Sequence, residues 1–354
     1  MRDTARRAFI GTVVVGGIVV AALALWKLKL LIAILFMAFI IAAAMRPGVD
    51  ALRRRKVPRG AGIAIHYLGL VAAVGLLLYF VVPTASDQVQ EAIPTSGSEL
   101  EEEKEASSGV RRQFLEAVQS RLEDLPDADQ VAERAFDPAV EITVTAFEVL
   151  IGIFFTLASA AYWIFERDRA ISLVTSLLPR PRRKIVRDTW DLIDAKLGAY
   201  VRGQLILIVL VATVLSVAFW AIGLPFWLLI AIFAGVVELI PVIGPLAAGA
   251  LAVGVGFTES LGVAIAAGVI VFIVRMVEDY LVIPRVLGEA VGLTPLTVLI
   301  AIASVTILFG GFAVLLAIPL AAVVATLIDV LVRHRDPAEE NVPTVIFAAK
   351  DSEG

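Results

Sequence analysis

From Leu205 to Val332 the chain is almost entirely apolar, and this run constrains the fold more than any other feature. A helix needs roughly 20 apolar residues to cross about 30 Å of hydrocarbon. Further runs of that scale cover Ala8–Trp26, Leu28–Met45, Ala61–Pro83 and Ile142–Phe165. Uninterrupted helices satisfy their own backbone in lipid, so the pattern predicts an all-α, polytopic membrane protein. Composition agrees. Hydrophobic residues make up 59% of the chain and mean hydropathy is +0.91, whereas a soluble domain is usually about 45–50% apolar.

Several function classes drop out early. The chain has no cysteine, which removes disulfides, thiolate metal sites and thiol nucleophiles together. Its two histidines, His66 and His334, are too few for a histidine-based metal site. There is no His-Glu-x-x-His motif, no recognisable partner for His66 and no Walker-type glycine loop. An intramembrane enzyme and a self-contained ATP-driven pump are therefore disfavoured. Neither a cofactor nor a nucleic-acid partner is expected.

Charge segregation sets the expected topology. Lys and Arg accumulate on the cytoplasmic side of short loops. Arg46, Arg53, Arg54, Arg55, Lys56 and Arg59 face a single acid, Asp50, after the second run. Arg2, Arg6 and Arg7 open the chain, Arg180, Arg182, Arg183 and Lys184 cluster in the stretch Glu166–Gln204, and Arg333 and Arg335 follow the last run. If each long run crosses once, all of these lie on one side and both termini are cytoplasmic, in an inner or plasma-type membrane. Residues 84–141 then lie outside. They hold fifteen acids and five bases, and Val110, Phe114, Val118 and Leu122 recur at helical spacing, so a small acidic helical insertion is expected there. Such an insertion would shape assembly or the outer mouth, or attract cations. Arg6-Arg7-Ala8-Phe9-Ile10 and Ala22-Leu23-Ala24 look like an export signal with a cleavage site, but a second spanning run follows at once, which favours an uncleaved first helix.

The expected organisation has five parts. Residues 1–83 form a transmembrane hairpin and a third span, and 84–141 the acidic insertion. Residues 142–204 form a fourth span and a cytoplasmic amphipathic helix. Residues 205–335 form a transport core, and 336–354 a tail. In the amphipathic helix Val186, Trp190, Ile193, Leu197 and Val201 share one face, while Arg187, Asp188, Asp191, Asp194 and Lys196 lie elsewhere on the wheel. That pattern suits a helix lying in the interface, with the preceding basic cluster near lipid head groups.

Three breaks interrupt the long apolar stretch. Irregular backbone at membrane depth survives only where it is buried in protein or lines a wet cavity. The first break is Glu238-Leu-Ile-Pro241-Val-Ile-Gly244-Pro245, where two prolines remove helix donors. Its apolar context, Phe226 to Phe257, is too long for one span and short for two, so a re-entrant or broken helix is expected. Glu238 beside it is a candidate by its charge alone. The second break, Arg275 to Pro295, holds Arg275, Glu278, Asp279, Pro284, Arg285, Gly288, Glu289 and Gly292. On a helix Arg275 faces Glu278 and Asp279, so a local ion pair competes with a simple solvated loop. The third, Gly310-Gly311, sits midway through Leu296–Val332, nearly twice a spanning length. Two broken segments entering from opposite faces would give the inverted architecture of secondary transporters. The candidate substrate-binding residues are Glu238, Pro241, Gly244, Pro245, Arg275, Glu278, Asp279, Pro284, Gly310 and Gly311.

At these residues the chain resembles the autoinducer-2 exporter family, also described as PerM-like predicted permeases. The resemblance rests on the first break, on Glu278-Asp279-Tyr-Leu-Val-Ile-Pro284-Arg-Val-Leu-Gly288, on Leu293-Thr-Pro295 and on Gly310-Gly311-Phe-Ala-Val-Leu-Leu-Ala-Ile-Pro319-Leu. It implies about eight membrane segments, some broken or re-entrant. It also implies export of small molecules, autoinducer-2 in some members, sodium/proton antiport in others, and homo-oligomers, described as pentamers. Asp279 stands where Asn is common, and Thr294 where His often precedes the proline. The leading expectation is a secondary transporter exporting a small polar solute through the bilayer. A sodium/proton antiporter would instead need a carboxylate that alternates between proton and cation, for which Glu238 and Asp279 are the candidates.

Overall fold

The apolar runs all become helices in the computed structural model, which describes residues 2–92, 128–240, 243–283, 293–340 and 342. The helices are α1 Arg2–Lys27, α2 Lys29–Arg54, α3 Arg59–Ala92, α4 Ala128–Ser176, α5 Arg180–Ala221, α6 Trp227–Val237, α7 Ile243–Glu259 and α8 Leu261–Val277. A π turn, Glu278–Val282, continues α8. Then come α9 Pro295–Phe309, a 3₁₀ turn Gly311–Leu316 and α10 Ala317–Leu331. Among the described residues there is no strand, and seven helices are long and apolar enough to cross a membrane. This is a polytopic all-α membrane protein. Its apolar side chains point outward as freely as inward: Phe9, Ile18 and Val20 on α1 are each more than half exposed. In water such an apolar surface would be an aggregation hazard, whereas a bilayer solvates it.

The described residues form two compact units that alternate along the chain. One draws on residues 1–42, 152–193 and 293–337; the other on 43–151, 194–292 and 338–354. Residues 205–292 and 293–335 of the expected core thus fall in different units. The candidate helix through Val110, Phe114, Val118 and Leu122 lies outside the described residues.

In the first unit Phe39, Trp163 and Trp190 stack and edge together from α2, α4 and the start of α5. Beside them Arg167 pairs with Asp191. Here too α9 opens on Thr294, whose hydroxyl accepts from Thr297 N–H at 3.3 Å, with Pro295 in the first turn where its missing donor costs nothing. It stops at Gly310, whose backbone takes φ 96°, ψ 170°. That region belongs to glycine, and another residue there costs about 1–3 kcal/mol. Gly310→Ala should therefore lower the thermal midpoint of the detergent-solubilised protein. Gly311→Ala, with open space around the added methyl, should lower it less. Equal losses would mean that the backbone at Gly310 is not what ends the helix.

The second unit has a core built from four helices: Val211, Leu215 and Phe219 of α5, Ile230, Ala231 and Ala234 of α6, Ala248 and Ala252 of α7, and Ala267 of α8. Small residues let the backbones approach closely, which is how apolar helices gain packing without a hydrophobic drive. A methyl built on Gly235 would sit 2.7 Å from Ile208 O on α5, so these two helices are in near-backbone contact.

Two expectations need correction. The amphipathic stretch 186–204 is not a separate helix: α5 runs from Arg180 to Ala221 without interruption. No Pro stands at the junction where its polar half meets its apolar half, and Gly203, which does stand there, is carried inside the helix. Asp194 and Lys196, placed off the apolar face by the helical wheel, are both buried. Arg46 pairs with Asp194 at 2.9 Å, and Glu340 pairs with Lys196 at 2.6 Å. A wheel assumes one wet side, and partners from elsewhere in the chain supply another kind of compensation for burial.

Candidate functional site

The first break occurs where the proline pair predicts it. Helix α6 ends at Val237, and at 11 residues it reaches roughly 16 Å, about half of a hydrocarbon core. A tight turn follows, with Leu239 N–H on Val236 O and Ile240 N–H on Val237 O. Helix α7 then starts at Ile243. Gly244 explains how the turn can be so close. A methyl on its Cα would lie 1.9 Å from the Val237 carbonyl oxygen, so the start of α7 packs directly on the end of α6. Pro245 falls in the first turn of α7. Pro241 and Pro284 lie outside the described residues.

Glu238 stands at this turn and is buried. Its side chain accepts a hydrogen bond from Arg275 Nη1 on α8 at 2.9 Å. Its backbone carbonyl accepts another from Gln204 Nε2 on α5 at 3.1 Å. The turn is therefore tied to two other helices by polar contacts. The same guanidinium meets Asp279 Oδ1 through Nη2 at 2.9 Å and stands 3.8 Å from Glu278 Oε2. Arg275 thus gathers Glu238, Glu278 and Asp279 around one cation. Glu278 is only 2% exposed, so its charge is not simply solvated; residues 284–292 of the break lie outside the described residues.

Why the second break folds this way follows from spacing and register. Residues three and four apart on a helix are neighbours, which puts Glu278 and Asp279 beside Arg275. The π turn begins at Glu278, and such turns often mark functional sites in helices. Among the ten candidate residues, the structure brings Glu238, Arg275, Glu278 and Asp279 into one cluster, with Gly244 and Pro245 at the turn that carries Glu238. Gly310 and Gly311 belong to the other unit.

Sequence reading missed Gln204. It lies 34 residues from its partner and looked like the last residue of a polar stretch. A polar side chain at the threshold of a long apolar run was the available signal. A groove of about 570 Å³ also runs along α5, lined by Arg202, Leu205, Ile206, Val209, Leu210, Thr213 and Val214. It is apolar except at Arg202 and Thr213, and it includes none of the clustered acids.

The chain is similar in sequence to known proteins. "Putative transport protein YrrI" of Bacillus subtilis is 24% identical over 317 residues, covering 85% of this chain and 86% of that protein. "Putative transport protein YueF" of the same organism is 26% identical, covering 83% and 84%. "Putative transport protein MT0215" of Mycobacterium tuberculosis is 26% identical, covering 94% and 91%. The model of the AI-2E family transporter matches residues 16–333, which include every break and every clustered charge described above. The chain belongs to the AI-2E transporter family.

Proposed function

We propose that this membrane transporter is a secondary permease that exports a small polar solute of the autoinducer-2 type. The observation that carries the reading is the Arg275 cluster at an interrupted helix, in which Glu238 and Glu278 are buried, Arg275 half-buried and Asp279 exposed. Ionisable groups among membrane helices are costly and persist where they serve a solute or ion path. The short α6 and the turn at Glu238 interrupt the helix where such a path can run. The excess of carboxylates in the cluster also favours a second reading, a sodium/proton antiporter. We place both termini in the cytoplasm, in an inner or plasma-type membrane, and read the working unit as a homo-oligomer, a pentamer as the family likeness implies.

Two experiments test this. Protein reconstituted in liposomes should move a small polar solute when a proton or sodium gradient is imposed. No flux of any solute tried under either gradient would count against the reading. The cysteine-free chain also accepts single cysteines cleanly. Those placed at 238–245 and at 308–313 should react with impermeant reagents from opposite faces of the membrane. Labelling from one face only would remove the inverted arrangement.

A further inference from the structure

No charged side chain among the described residues is more buried than Glu278. Its two oxygens are poorly served. Oε2 stands 3.8 Å from Arg275 Nη1, beyond hydrogen-bond reach, and Oε1 is buried with no hydrogen-bond partner. Glu238 and Asp279 are better placed, each with a guanidinium nitrogen at 2.9 Å. The charged groups facing Glu278 are Glu238 from the end of α6, and Arg275 and Asp279 from its own element. With all three acids ionised, one cation would face three anions. An ionised carboxylate without a donor is expensive in a low-dielectric interior.

Two things restore the balance: a cation or a proton. Among the described residues no group of three acidic or histidine side chains is placed to hold a metal ion. A proton needs no coordination shell, only an oxygen, and Oε1 is that oxygen. We propose that Glu278 is a proton-binding group. It carries the proton in the arrangement seen here and releases it when the turn opens to water, whose donors then stabilise the third anion. In that step the carboxyl O–H bond breaks and the proton passes to water. The electron pair stays on the carboxylate, which then accepts from water. The position of Glu278 at the head of the π turn suits such a change, since backbone register is least regular there. This assignment rests on the transporter reading and names the proton as its coupling ion.

Infrared difference spectra of the full-length protein in liposomes, recorded across a pH step without solute, test it directly. The wild type should show a protonated-carboxyl band that disappears as pH rises, and Glu278→Gln should lack it. Loss of proton-driven flux in Glu278→Gln would agree. A band unchanged in Glu278→Gln, or no titrating carboxyl band in the wild type, would overturn the proposal. Should the Gln variant fail to assemble, Glu278→Asp provides the reading: a band shifted in frequency supports the assignment and an unshifted one removes it. Because the spectra need no transport, a protein that moves nothing yet shows the band would sink the permease reading and leave this one standing.

Discussion

Arg275→Ala should destabilise the protein by about 3 kcal/mol, the lower end of the loss when one partner of a buried ion pair is removed, because Arg275 is itself 29% exposed. The reason lies in what remains. Glu238 loses the donor at 2.9 Å, Asp279 loses its own at 2.9 Å, and Glu278 loses the only cation near it in the cluster. Glu238 and Glu278 are both buried, so water cannot take over. Unfolding in mixed detergent, followed by circular dichroism, measures the loss. Arg275→Lys should recover part of it, because an ammonium keeps the charge and loses the fork that reaches two carboxylates at once. The double variant Arg275→Leu with Glu238→Leu should be less damaging than Arg275→Leu alone, since it removes an orphaned charge along with its partner. If Arg275→Ala were as stable as the wild type, the cluster would be a solvated surface feature and the candidate site would fall.

Gly244→Ala should be the most damaging single methyl in the second unit. The added carbon would meet the Val237 carbonyl oxygen at 1.9 Å and its carbon at 2.6 Å. Both are backbone atoms, so no side chain can swing aside, and α7 must move away from α6. Overpacking usually costs about 1–3 kcal/mol, and occasionally more where the neighbour cannot give. The shift would also displace Glu238, the next residue after Val237, and with it the contact to Arg275. The expectation is a lower folding yield and loss of flux together. Gly254→Ala on the same helix is the control: nothing lies within 4 Å of its added methyl, so stability should hold or rise slightly. Equal tolerance of the two substitutions would show that the turn is looser than the structure has it.

Much of the site was legible before the structure. The proline pair and Gly244 marked the first turn, and the spacing of Arg275, Glu278 and Asp279 marked their pairing. What spacing could not show was that Glu238 joins them across 37 residues. It also could not separate solvated acids from buried ones, because burial depends on which helices pack around them. The departure at Asp279 has a structural consequence: the acid forms a direct pair with Arg275. Thr294, the other departure, serves as the cap of α9.

The same division holds for the whole chain. The all-α polytopic fold, the apolar runs that become helices and the turns at Glu238 and Gly310 are legible in the sequence alone. They depend on local facts: how many apolar residues run together, where proline removes a donor, and where only glycine fits the backbone. The burial of Asp194 and Lys196, the unbroken course of α5 and the gathering of three acids around Arg275 were decided by tertiary packing. Each turns on whether a distant residue supplies a counter-charge or a hydrogen bond, and linear order carries no distance between residues that far apart.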